Sequence, residues 1–292
     1  MSTSRYSWQL PDRQLTLGAR PLVMGIVNVT PDSFSDGGRF LAIEAAVEHA
    51  LRLLREGADL LDLGGESTRP GAAPVPLEEE LRRVLPVVTE LARQTSALLS
   101  VDTSKAEVAR QCLQAGAHIV NDVTALAGDP DMRHVLQAFP AGIILMHMQG
   151  TPATMQQRPT YDNVVTEIVQ FFQERLQLCA RVGISKERIA LDPGIGFGKT
   201  EQHNWQILAQ LEKLQALGRP LCLGVSRKSF IGKLLNRPVE GRLIGSTAIL
   251  CHAMARQRVQ IIRVHDVAET VEAVRVWAAI EKQAEGGGTG LE

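Results

Sequence analysis

Polar residues able to do chemistry recur in this 292-residue chain directly after short apolar runs. Asn28 follows Leu22–Val27, and Gly64-Gly65-Glu66-Ser67-Thr68-Arg69 follows Leu60–Leu63. Asp102-Thr103-Ser104 follows Leu98–Val101, and Asn121-Asp122 follows His118–Val120. His147 follows Gly142–Met146, and Asp192-Pro193-Gly194 follows Ile189–Leu191. Ser226-Arg227-Lys228-Ser229 follows Leu221–Val225, and Arg263 closes the run Gln260–Arg263 ahead of His265 and Asp266. Singly, an Asp or Asn in such a place more often caps the next helix than binds a ligand. Brought to one mouth, these groups would combine carboxylates, cations and carboxamides. Such a set can hydrogen-bond a polar heterocycle and stabilise charge of both signs.

Two nucleotide signatures fail on inspection. Gly198-Lys199-Thr200 ends like a phosphate-binding loop, but that motif needs glycine at 193, where Pro193 fixes φ. Glycines 194, 196 and 198 also miss the spacing of a dinucleotide fold. His147 and His265 have no partner histidine at helical or loop spacing, which argues against zinc. A Mg²⁺ ion held by one or two protein oxygens and substrate phosphates needs far less signature.

The elements that must position these groups follow from periodicity. The eight apolar runs read as buried parallel strands. Helical stretches lie between them: Leu41–Arg55 carries Ile43, Ala46, Val47, Ala50, Leu51 and Leu54 on one stripe. Others begin near Pro76, Lys105, Asp131, Tyr161, Glu201, Gly241 and Asp266. Glu78, Glu79 and Glu80 stand in a first turn, where acidic residues favour the helix dipole. Alternation of strand and helix implies right-handed crossovers. Eight repeats fit a single closed (β/α)₈ TIM barrel of the α/β class, although periodicity alone leaves a doubly wound open sheet standing. Residues 1–20 are expected to hold a hairpin, Ser7–Leu10 with Gln14–Leu17, closing the barrel floor. Residues 21–283 are the barrel, and the Gly-rich 284–292 is expected to be a disordered tail.

Composition bounds the partners. A formal net charge of −1 offers no field for nucleic acid or an acidic membrane. No apolar stretch approaches the roughly eighteen residues of a membrane span. The first ten residues lack a signal-peptide core, and the four cysteines form no CxxC pair. The expectation is a cytoplasmic protein with reduced thiols.

At these motifs the chain resembles the dihydropteroate synthase family of pterin-binding barrels. The matching stretches are Met24–Gly38, Asp62–Gly71, Asp192–Lys199, Ser226–Gly232 and Ile262–Asp266, and the resemblance runs from about Trp8 to Trp277. It implies a TIM barrel, usually a homodimer, that joins a dihydropterin methyl diphosphate to p-aminobenzoate and releases pyrophosphate with Mg²⁺ assisting. Sulfonamides compete for the p-aminobenzoate site of that family. The implied pterin site is Asp102, Asn121, Met146, Asp192, Phe197, Gly224, Lys228 and Arg263. The implied diphosphate site is Asn28, Thr68, Arg263 and His265, with Asn28 also on the metal. The implied p-aminobenzoate site is Phe34, Thr68, Arg69, Pro70, Phe197 and Ser229.

The residue types suit those roles. A carboxylate accepts the paired N–H groups of a pterin's pyrimidine edge, which fits Asp192. An unliganded buried carboxylate is costly, so Asp192 is expected to stay partly wet. Departure of pyrophosphate from a methylene carbon leaves positive charge there, and an anion such as Asp102 would stabilise it in an SN1-like route. Asn28, Asp102 and Lys228 are therefore the expected catalytic residues. Arg69 has a plainer reading as a surface salt bridge. The apolar run Ile244–Ala255 is wider than barrel packing demands and reads either as a dimer interface or as core. Two alternatives remain: a pterin-dependent methyltransferase barrel, which has no use for a diphosphate site, and a pterin-binding module without activity.

Overall fold

Inward and outward residues alternate along the strands of this protein, and that alternation separates its scaffold from its site. The computed structural model describes residues 6–29, 38–69, 71–255 and 258–286, with side chains 38–41 and 285–286 left out. The elements run β1 (Tyr6–Gln9), β2 (Gln14–Leu17), β3 (Leu22–Asn28), α1 (Gly38–Arg55), β4 (Leu60–Gly64), α2 (Leu77–Gln94) and β5 (Leu98–Asp102). There follow α3 (Ala106–Gln114), β6 (Ile119–Asp122), α4 (Met132–Ala138), β7 (Gly142–Met146), α5 (Val164–Arg181) and β8 (Ile189–Asp192). The chain ends with α6 (Glu201–Ala209), α7 (Leu211–Gln215), β9 (Cys222–Leu223), α8 (Ser229–Leu235), α9 (Leu243–Met254), β10 (Ile261–Val264) and α10 (Val267–Gly286).

The eight parallel strands order as β8-β7-β6-β5-β4-β3-β10-β9. A parallel bridge from Leu191 to Leu221 joins the two ends of that row. The sheet therefore closes on itself, which removes the open-sheet alternative. The expected strand Leu221–Val225 is reduced to two residues because the chain turns there: Lys228 N–H donates to Val225 O at 3.3 Å, and Arg227 takes φ +58.

Successive strand residues face opposite sides. Outward positions such as Leu61, Leu63, Leu99, Val101, Ile143 and Val264 join the helices in the larger core. Inward positions at the strand starts form a second core: Met24, Leu60, Leu98, Ile119, Ile144, Ala190, Cys222 and Ile261. The β1–β2 hairpin plugs this floor with Trp8, Leu10 and Leu17. Two buried arginines pin it. Arg188 donates to Ala141 O and Phe139 O, each at 2.7 Å, and its own carbonyl accepts Trp8 Nε1–H at 2.9 Å. Arg219 donates to Ile189 O and Ser7 O, each at 3.0 Å.

Helix α8 is not among the helices expected from periodicity, and its Leu234 and Leu235 are exposed. Glu80 stands in the first turn of α2, as expected, and is in addition fully buried. Helix α10 runs through Gly286, so the barrel extends past the expected boundary at 283; residues 287–292 lie outside the described set.

Candidate active site

Two residues further along the inward faces, five of the eight apolar positions give way to polar ones. Met24, Leu60, Leu98, Ile119, Ile144, Ala190, Cys222 and Ile261 are succeeded by Ile26, Asp62, Ser100, Asn121, Met146, Asp192, Gly224 and Arg263. The ladder sets Asp102 opposite both Gly64 and Asn121, and Met146 opposite Asp192.

Arg263 is the centre of this layer. Its Nε donates to Asp62 Oδ2 at 2.6 Å and its Nη2 to Asp102 Oδ2 at 2.7 Å. Asn121 Nδ2 donates to the same Asp62 oxygen at 3.0 Å. Asp62 Oδ1 and Asp102 Oδ1 are buried without a partner among the described residues. One guanidinium thus faces two carboxylates. Burial first, and then the charges of Asp62, Glu80 and Asp122, push Asp102 up to about 7 despite Arg263. The two carboxylates hold Arg263 firmly protonated against the cost of burial.

The opposite wall comes from β8, the following loop and the turn after β9. Asp192 is 6% exposed, and its Oδ1 accepts Gly194 N–H at 2.7 Å. Burial raises its pKa, with Gly194 and Lys228 opposing. Gly224 leaves room beside it, since an added Cβ would lie 3.9 Å from Asp192 Oδ2. Lys228 Nζ lies 4.1 Å from the centre of the Phe197 ring, a cation–π contact. Burial lowers Lys228 to about 8, while Asp192 and Asp102 favour its charged form.

The glycine-rich loop owes its composition to packing, not to a nearby phosphate. A Cβ on Gly194 would meet His147 O at 1.9 Å, and one on Gly198 would meet Gln149 O at 2.3 Å. Lys199 points into the protein. Its Nζ lies 2.9 Å from His147 Nδ1 and 2.9 Å from Phe197 O, and burial lowers its pKa to about 7. Thr200 caps α6 in a reciprocal pair with His203.

At the rim, Asn28 and His265 line a cavity of about 600 Å³ with Ile26, Arg227 and a face of α1 that includes Glu48, Arg52 and Arg55. His265 Nδ1 lies 3.0 Å from Ser226 Oγ. Burial and the neighbouring Arg263 depress its pKa to about 4, so it is a neutral ring able to donate from one nitrogen. Arg227 pairs with Asp266 and stays out of the inner layer. Thr68 is half-buried and Arg69 exposed, and Arg69 has no ion pair among the described residues. Its charge is the smallest of those that bear on His265. Ser229 begins α8 beside Lys228 and is exposed. Phe34 and Pro70 lie outside the described residues.

Asn28, Asp102, Asn121, Met146, Asp192, Phe197, Gly224, Lys228, Arg263 and His265 thus surround one opening. Asp62 was not among the sequence candidates, though it touches Arg263 directly. The available signal was an acidic residue flanked by leucines inside a buried strand.

The sequence profile of the family described as pterin binding enzyme matches residues 24–265. The dihydropteroate synthase of Escherichia coli K12 is 50% identical over 258 residues, covering 88% of this chain and 91% of its own. The chain belongs to the dihydropteroate synthase family. A Xanthomonas albilineans dihydropteroate synthase solved with 4-aminobenzoic acid superposes with TM-score 0.88 at 50% identity, covering 96% of this chain and 99% of that one. The same organism's dihydropteroate synthase in complex with 7,8-dihydropteroate gives TM-score 0.85 at 48% identity, covering 94% and 98%.

Proposed function

We infer that this chain condenses 6-hydroxymethyl-7,8-dihydropterin diphosphate with p-aminobenzoate to give 7,8-dihydropteroate and pyrophosphate. The observation that carries this reading is the inward layer of Asp62, Asp102, Asn121, Asp192 and Arg263, with Lys228 beside it, under a rim holding Asn28 and His265. Asp192 accepts the paired N–H groups of the pterin, Asn121 meets its mixed edge, and Met146 and Phe197 bound it. Lys228 donates to a ring acceptor, and Arg263 lies against the ring face. At the rim Asn28, Thr68, Arg263 and His265 receive the diphosphate. Thr68, Arg69, Phe197 and Ser229 receive p-aminobenzoate, together with Phe34 and Pro70 of the two long loops.

The bond from the methylene carbon to the diphosphate oxygen breaks first, in an SN1-like step. Asp102, ionised, stabilises the cation left on the pterin methyl group, while cationic and N–H groups at the rim stabilise the departing charge. The arylamine nitrogen then forms the new C–N bond and releases a proton. Its own lone pair suffices, so no strong general base is needed. An Mg²⁺ ion fits this site as one that needs little from the protein. Asn28 offers a neutral oxygen at the cavity wall, and among the described residues no group of three His, Cys, Asp or Glu is gathered to hold a metal alone. When bound, the ion would neutralise diphosphate charge and make it a better leaving group.

The diphosphate-ready rim disfavours a methyltransferase, and the intact polar layer disfavours an inactive binding module. One assay separates all three: pyrophosphate release from the pterin diphosphate, followed with and without p-aminobenzoate and Mg²⁺. Release that depends on both is expected; tight pterin binding with no release would favour the inactive module. A sulfonamide should compete against p-aminobenzoate.

A homodimer is supported by the exposed apolar residues Ile244, Val276, Ile280, Leu234 and Leu235 on helices α8, α9 and α10. A cytoplasmic location is supported by four free cysteines, three of them buried. Among the described residues no helix is long and apolar enough to cross a membrane.

A further inference from the structure

The loop from Glu66 to Val75 is held at its root by an ionic cluster outside the polar layer of the mouth. Lys105 Nζ lies 2.5 Å from Glu66 Oε2 and 2.5 Å from Glu80 Oε2. The other oxygen of Glu66 accepts Val75 N–H at 2.9 Å, where the loop returns. A single carboxylate therefore clasps both legs of the loop and ties them to Lys105, three residues past Asp102. Glu80 is fully buried on α2, and Gly65 packs so tightly on it that an added Cβ would lie 3.1 Å from Glu80 Cγ and from Glu80 O. Arg83, on the same helix, donates to Gly65 O at 2.9 Å. Midway along the loop, Gly71 N–H donates to Pro152 O at 3.0 Å, in the segment after β7.

This arrangement is costly to build for packing alone. Burial raises the pKa of Glu80, opposed by Lys105 and Thr103; burial would lower Lys105, but Glu66 and Glu80 raise it overall. A buried carboxylate without its cation is strongly unfavourable, so Lys105 is bound to its place. An apolar pair would stabilise the α2–α3 seam more cheaply, but it would give Glu66 nothing to grip. The cluster fixes the bases of the loop that carries Thr68 and Arg69.

We propose that Glu66, Lys105 and Glu80 form a positioning device that holds the 66–75 loop in the conformation that brings Thr68 and Arg69 to the p-aminobenzoate side of the mouth. The identity of that substrate rests on the synthase reading above; the anchoring itself does not.

Glu66→Gln leaves the buried Lys105–Glu80 pair intact and is the primary variant. Lys105→Met removes the cation that ties Glu66 to Glu80, and Lys105→Arg keeps the charge. In Glu66→Gln and Lys105→Met, the KM for p-aminobenzoate is expected to rise about tenfold, with kcat and pterin affinity within about twofold of the parent. Lys105→Arg should recover most of the loss. Hydrogen exchange at the Val75 and Gly71 amides should speed up in the first two variants and not in the third. Unchanged KM and unchanged amide protection in Glu66→Gln would overturn the proposal. So would equal loss of both substrates, with a lowered thermal midpoint that Lys105→Arg does not restore. If the parent protein released no pyrophosphate, the synthase reading would fall, and the exchange measurement would still decide the anchor.

Discussion

Arg263 on β10 reaches past β3 to Asp62 on β4, 2.6 Å from Nε to Oδ2, and the same carboxylate oxygen also takes the Asn121 amide. Asp62 therefore orients two groups of the proposed pterin site. Asp62→Asn keeps the shape and removes the charge. Because Asp102 still pairs with Arg263, the fold is expected to survive while turnover falls about 100-fold through lost orientation. The acid limb of the pH profile should also move down, since Asp62 helps to raise Asp102. Steady-state kinetics across pH would test this; normal turnover would remove Asp62 from the site.

The pH dependence of kcat/KM for the pterin diphosphate should be a narrow bell. Asp102 acts as an anion only above about 7, and Lys228 keeps its proton only below about 8. Activity thus rises through the first value and falls through the second. Lys228→Arg should abolish the alkaline limb, because a guanidinium stays charged past about pH 12. An alkaline limb that persists in that variant would belong to another group.

Asp102 and Asp192 should separate chemistry from binding. Asp102→Ala is expected to lower kcat by about 100- to 1,000-fold with a much smaller change in pterin affinity. Asp192→Ala should do the reverse, weakening pterin binding most. Calorimetric titration beside turnover measurements distinguishes them, and a parallel loss in both variants would refute the division of labour.

The hairpin floor should matter for stability and not for chemistry. Trp8 is 0% exposed and hydrogen-bonded to Arg188 O. Trp8→Ala is expected to cost about 3–5 kcal/mol in urea unfolding, with kcat unchanged where the protein stays folded. A kcat that falls in step with stability would mean that the floor is coupled to the mouth.

Ile244 is 81% exposed on α9. If the apolar face of α8–α10 pairs two copies, Ile244→Glu should shift sedimentation velocity from dimer to monomer without unfolding the chain. A parent that sediments as a monomer would leave that face unexplained.

By itself the sequence determined the repeating scaffold and the roster of strand-end groups. Eight near-continuous apolar runs separated by amphipathic stretches are local patterns, and a buried parallel strand must show one. Asn28, Asp102, Asn121, Asp192 and Arg263 were legible for the same reason: a polar residue ending such a run stands out, whereas Lys228 was set apart from Arg227 by the family resemblance. Only the tertiary structure decided what meets what. Leu191 bridging Leu221 turns a row of strands into a ring, and nothing local to either leucine says so. Asp62 looks like a flaw in a leucine strand until the barrel sets Arg263 beside it, 201 positions along the chain. Glu80 reads as a first-turn acidic residue, and only the fold adds Lys105 as its partner; likewise only the fold sets the Lys199 amine against His147. Periodicity reports which face of one element is buried; the charge partner waiting on that face comes from an element far away in sequence, and closure of the barrel brings it there.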